Sequence, residues 1–153
     1  MSKHETPMTR RYWQRVGGTL MEEYLAVRRD AGVGQRLIDA VIIVDGDHRI
    51  ALRAEHVCLD LNRRDVIVVQ TKAARLGMYL LGQALFSRLL IERRFTPRSI
   101  RTVALCADDD SVLRPLAEGY DIEVVVDDEA ARLVKPRVRN RRANRLTEDQ
   151  AAK

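Results

Sequence analysis

The sequence predicts an α/β domain, a mixed central sheet with helices packed on its faces. Three observations lead there. Val66-Ile67-Val68-Val69 is apolar on both faces, as a central strand covered on both sides must be. Residues 73–95 follow as a long stretch apolar on nearly every side, which reads as a deeply packed helix. Short apolar runs separated by turn residues surround this pair, so strands and helices alternate along the chain.

Residues 1–8 read as a flexible tail. From 9 to 29, Trp13, Val16, Leu20, Tyr24 and Val27 recur at spacings of three and four, which predicts an amphipathic helix. Gly17-Gly18 would bend it or mark a close packing contact. Asp30 to Gly34 is its stop. Residues 37–44 predict a strand, Asp45-Gly46 a hairpin turn, and 50–52 the returning strand. After an ambiguous stretch, 66–71 is the central strand and 73–95 the long helix, which Thr96-Pro97 ends. Residues 102–106 form the next strand. Asp108-Asp109-Asp110 and Ser111 open a short helix ending near Gly119, and 122–126 is the last strand. The domain is therefore expected over 9–128, with a basic, flexible or partly helical tail over 129–153.

At 153 residues the chain is long enough to bury one core. Its 46% hydrophobic and 32% charged residues are those of an ordinary soluble globular protein. No apolar leader begins the sequence and no stretch reaches the roughly 18 apolar residues of a membrane span, so a cytoplasmic protein with no membrane partner is expected. Cys58 and Cys106 match no metal-ligand spacing. The net charge of +5 hints at a polyanionic partner. Arg137, Arg139, Arg141, Arg142 and Arg145 in the tail are the nucleic-acid-binding candidates, with Arg63-Arg64 as a second basic pair.

Lys72 is the residue most out of keeping with its surroundings. Of 27 lysines and arginines only four are lysine, and Lys72 is the one within the body of the chain. Lysine is a compact, tunable point charge suited to handling a water or a phosphate oxygen. In a strand, Gln70 and Lys72 share a face. Asp39 is the second anomaly, a carboxylate inside the apolar run 37–44. Such a group needs a cation, a metal or hydrogen bonds to offset its burial. On the first helix, at about 100° per residue, Glu23 borders the apolar stripe while Glu22 points away from it, unless Gly17-Gly18 resets the phase. Plainer readings stand beside these. Gln70-Thr71-Lys72 is also a strand end with Thr71 capping a helix, and Asp39 a salt-bridge partner for Arg36.

A helix with Glu23 (or Glu22), a strand with Asp39, a strand ending in Gln70-Thr71-Lys72, a long helix and another strand resemble the PD-(D/E)XK nuclease superfamily. The Gln-x-Lys form is similar to that of Mrr-like restriction endonucleases. The resemblance spans residues 12–106 and implies a restriction endonuclease-like α-β-β-β-α-β core, here with an extra C-terminal helix and strand. It implies a catalytic set of Asp39, Gln70, Lys72 and Glu23, with Asp39, Gln70 and Glu23 as ligands of Mg²⁺ or Mn²⁺. Gln83 stands where some members keep a polar helix residue facing the site. Two features depart from the family pattern. Ile38 stands where a proline is common, and the long gap from Asp39 to Gln70 needs an inserted hairpin.

The implied activity is metal-dependent hydrolysis of phosphodiester bonds in nucleic acid, DNA above all. Lys72 would orient the attacking water. Gln70 in place of a carboxylate removes one negative charge, which weakens metal binding. The same residues admit an inactive nuclease-fold module that binds nucleic acid or a partner protein. A Rossmann-like nucleotide- or protein-binding domain is the third reading. Cutting two strands is compatible with a homodimer.

Overall fold

The computed structural model describes residues 1–134. The chain runs α1 (Glu5–Val16), β1 (Thr19–Val27), β2 (Arg36–Ile43), β3 (Arg49–Ile50), a 3-10 turn (Arg53–Glu55), β4 (Asp65–Arg75), α2 (Met78–Arg94), β5 (Ser99–Asp108), α3 (Leu113–Gly119), β6 (Ile122–Val126) and α4 (Asp128–Val134). The six strands form one sheet in the order β3-β1-β2-β4-β5-β6. β2 pairs antiparallel with β1 and β4, whereas β1/β3, β4/β5 and β5/β6 are parallel. This is a mixed sheet in an α/β fold. Met8, Tyr12 and Trp13 of α1 and Ala130 of α4 pack on one face. Leu80 and Ala84 of α2 and Ala117 of α3 pack on the other. Val66 to Val69 are buried, as a central strand requires.

The expected helix over 9–29 is instead a helix and a strand. Helix α1 begins earlier, and Ser2 and Glu5 close the turn that leads into it through reciprocal bonds. Glu5 N donates to Ser2 Oγ at 3.3 Å and Ser2 N to Glu5 Oε2 at 2.8 Å. The expected loose tail is thus the start of α1, and Met8 is fully buried. The helix ends where Gly17 and Gly18 take φ of +78° and +81°, a region glycine enters at little cost. A Cβ on Gly18 would lie 2.3 Å from Ile43 O, so the strand that follows can approach β2 only with glycine there. The two glycines are a stop, not a bend.

The expected hairpin also resolves differently. After the turn in which Gly46 N donates to Ile43 O, β3 joins the outer edge of β1 and not β2. Both edges of β2 are already taken by β1 and β4, which leaves the returning segment only the free edge of β1. β4 runs on through Arg75, so α2 starts five residues later than its apolar composition suggests. The Asp108-Asp109-Asp110 run does open a helix, since Asp110 Oδ1 accepts bonds from Val112 N and Leu113 N. Among the described residues no helix is long and apolar enough to cross a membrane.

Candidate functional site

The alternation of side chains along β1 and β2 breaks at one place. In β2, Ala40 and Ile42 pack under α1, while Val41 and Ile43 pack on the opposite face. Ile38 should continue the α1 side, yet it packs with Val41 and Ile43. In β1, Leu20 and Met21 face opposite sides, but Tyr24 joins Met21 where alternation would put it with Leu20. The residues at the two breaks are Asp39 and Glu23. Glu22 pairs with Ala40 and Tyr24 with Ile38, so Glu23 and Asp39 lie across from each other. Glu23 has φ of +50°, which a side chain other than Gly, Asn or Asp rarely adopts. Two acids thus occupy facing register positions at a strained point of an otherwise regular strand pair.

The same point is where β2 and β4 part. Their ladder is regular from Ile43–Val66 to Ala40–Val69 and stops there. Asp39 Oδ2 accepts a bond from Thr71 N at 2.8 Å, in place of the next ladder bond. Lys72 lies beyond the last pair, on an open edge, and its Nζ reaches Glu5 Oε1 of α1 at 3.2 Å. Thr71 Oγ1 and Thr9 Oγ1, 2.8 Å apart, fasten β4 to α1 beside that pair. The α-ammonium of Met1 stands 2.6 Å from Glu23 Oε1, and Arg53 lies 3.5 Å from Glu23 Oε2. Glu5, Glu23, Asp39 and Lys72 therefore surround one end of the sheet, brought together from α1, β1, β2 and β4.

The electrostatics follow from burial. Burial pushes the Asp39 carboxyl above its ordinary value, and the Thr71 N–H offsets only part of this. Glu5 is held below the usual range by the Ser2 N–H and Lys72 against the opposing effect of burial. The Met1 ammonium is raised, first by its bond to Glu23 and further by the charges of Asp39 and Glu5. A cationic group is already favoured among these three carboxylates.

Gln70 does not join this cluster. Its Nε2 donates to Ser87 Oγ of α2 at 2.8 Å, and it lines a 480 Å³ cavity with Arg36, Tyr79, Gln83, Phe86 and Ser87. Gln70 and Lys72 alternate to the same strand face, yet Lys72 reaches Glu5 of α1 while Gln70 stays on the α2 side. Gln83 Nε2 reaches the hydroxyl of its helical neighbour Tyr79. Glu22 is held by Arg10 through two bonds of 2.8 and 2.9 Å, outside the cluster. Arg36 bonds to Gln35 O and is not a partner of Asp39. Arg137, Arg139, Arg141, Arg142 and Arg145 lie outside the described residues.

Comparison with protein-family models, curated proteins and solved structures found no match. Function is therefore read from the site itself. Among the described residues no three His, Cys, Asp or Glu side chains stand close enough to hold a metal by themselves. Asp39 with Glu23 or Glu5 would supply two carboxylates, a number that suits Mg²⁺ when waters and a substrate phosphate complete its shell. Glu5 is the member that the sequence reading lacked. Its signal was the Ser-x-x-Glu capping box at residues 2–5 ahead of Met8, Tyr12 and Trp13.

Proposed function

We propose that this chain is a metal-dependent nuclease of the PD-(D/E)XK type, hydrolysing phosphodiester bonds in DNA. The observation that carries this reading is the strained pairing of Glu23 with half-buried Asp39 at the open end of the β2–β4 ladder, beside Lys72. Strain of this kind persists where function requires it. The order α1, β1, β2, β4, α2, β5 supports the reading, since it follows the α-β-β-β-α-β core with β3 as an insertion on the outer edge.

In this reading Asp39 and Glu23 hold the metal, and Gln70 braces β4 against α2 through its Nε2 while its carbonyl oxygen is the third ligand candidate. When bound, Mg²⁺ supplies charge neutralisation at the phosphoryl oxygens and acidifies a water. Lys72, 52% exposed, is free to leave Glu5, orient that water and take the scissile phosphate. Glu5 acts through Lys72 and is a positioning residue. One observation favours an inactive binding module instead: the Gln70 nitrogen is tied to Ser87, at a position where a carboxylate would hold a metal more tightly.

The two readings separate by experiment. Supercoiled plasmid and single-stranded DNA are incubated in Mg²⁺, Mn²⁺ or EDTA with wild type, Asp39→Asn and Lys72→Ala. Metal-dependent cleavage by wild type alone is the expected result. DNA binding without cleavage in any metal would favour the module, and cleavage surviving in both variants would place the chemistry elsewhere.

A further inference from the structure

Helix α2 turns Leu80, Ala84, Ser87 and Ile91 into the core. At about 100° per residue, Met78, Gly82, Phe86 and Leu89 fall on the opposite side, flanked by Tyr79 and Leu90. That side should be polar. Instead Met78 is 78% exposed, Tyr79 74%, Phe86 64% and Leu89 45%. From Leu76 to Ser87 the sequence carries no charged residue. An apolar stripe three turns long on the solvent side of a helix marks an interaction surface.

Gly82 says what kind. A glycine inside a helix costs about 1 kcal/mol relative to alanine. A Cβ at Gly82 would meet nothing within 4 Å and its φ is not in the left-handed region, so nothing among the described residues calls for glycine there. A close approach from outside does.

We infer that this stripe joins two copies of the chain, α2 against α2, antiparallel about a two-fold axis level with Ala84. In that arrangement Phe86 of each copy drops into the gap at the partner's Gly82, and Tyr79 meets the partner's Leu89. Met78 meets the partner's Leu90. A large residue faces a missing side chain on both sides of the axis, which is the self-complementarity that an isologous interface requires. From Leu76 to Ser87 the stripe has no charge to oppose itself across the two-fold, and Arg36 and Arg93 stand at its margins. Tyr79 and Phe86 bring up to roughly 300 Å² per copy. Met78, Leu89, Leu90 and neighbouring Leu37 carry the patch toward the roughly 800 Å² per partner of a stable interface. Nucleic acid would find cations only at the margins of this stripe, Arg36 and Arg93, and none along its centre. The chain's own segment 135–153, in which seven of nineteen residues are lysine or arginine, does not fit that centre either.

The test is sedimentation equilibrium of the full chain, which does not depend on any catalytic activity. Wild type at about 50 µM should sediment at twice 17.5 kDa. Phe86→Asp, at an exposed site, should dissociate at least about 100-fold more readily with an unchanged circular dichroism spectrum. Gly82→Leu should also be monomeric while melting no lower than monomeric Phe86→Asp, because the added side chain fits the lone helix and blocks only the pair. A monomeric wild type would overturn the inference and leave the stripe to another occupant. Dimers persisting in both variants would overturn it as well.

Discussion

Asp39→Asn should cut activity sharply and stabilise the fold. Among the described residues the ionised Asp39 has a single donor, Thr71 N at 2.8 Å, while Lys72 Nζ is engaged by Glu5. A charge-assisted bond contributes about 1.5–3 kcal/mol, whereas burying a carboxylate costs several. The raised pKa says that burial prevails. An asparagine oxygen still accepts from Thr71 N, for about 1 kcal/mol, without a charge to desolvate. The balance favours the variant by about 1 kcal/mol at neutral pH, or roughly 3 °C in Tm for a domain of this size. The pH dependence follows from the sign. A carboxyl whose folded pKa is raised contributes stability below its unfolded pKa and loses it as pH rises through the folded one. The advantage of Asp39→Asn should therefore be absent in acid, open above roughly pH 4 and level off once Asp39 is ionised in the fold. Thermal melts across pH, run beside the plasmid assay, read both effects. Cleavage should fall about 10²–10³-fold, the loss on removing one electrostatic stabiliser. A variant that melts lower at neutral pH would mean that Asp39 is a satisfied structural ion, and the site reading would be refuted.

Lys72→Ala should lose cleavage by about 10²-fold or more yet change stability by under about 1 kcal/mol, because its bridge to Glu5 is half-exposed; a large drop in Tm would mark Lys72 as structural. Gly18→Ala combines a left-handed φ with a Cβ 2.3 Å from Ile43 O and should cost about 2–4 kcal/mol in urea denaturation. Near pH 8 a thiol reagent should label exposed Cys58 quickly and spare Cys106 until the chain is unfolded, since burial pushes the Cys106 thiol up to about 11. Equal labelling rates in the native protein would contradict that burial.

The chain's local chemistry determined much of this molecule. Val66 to Val69 declares a central strand because four consecutive apolar residues need cover on both faces. Asp39 and Lys72 stand out because each is a charge where composition and pattern call for none. What sequence spacing left open were the features that depend on neighbours distant in the chain. Trp13, Val16, Leu20 and Tyr24 fit a helical period by coincidence. Only the approach of Ile43 to Gly18 turns the glycine pair into the end of a helix. The segment after Asp45-Gly46 joins β1 because β4, twenty residues later, has already taken the second edge of β2. Tertiary structure likewise placed Glu23 across from Asp39, brought Lys72 to Glu5, and tied Gln70 to Ser87. Side-chain type is a property of position in the sequence, whereas the partner that gives a charge its role is a property of packing.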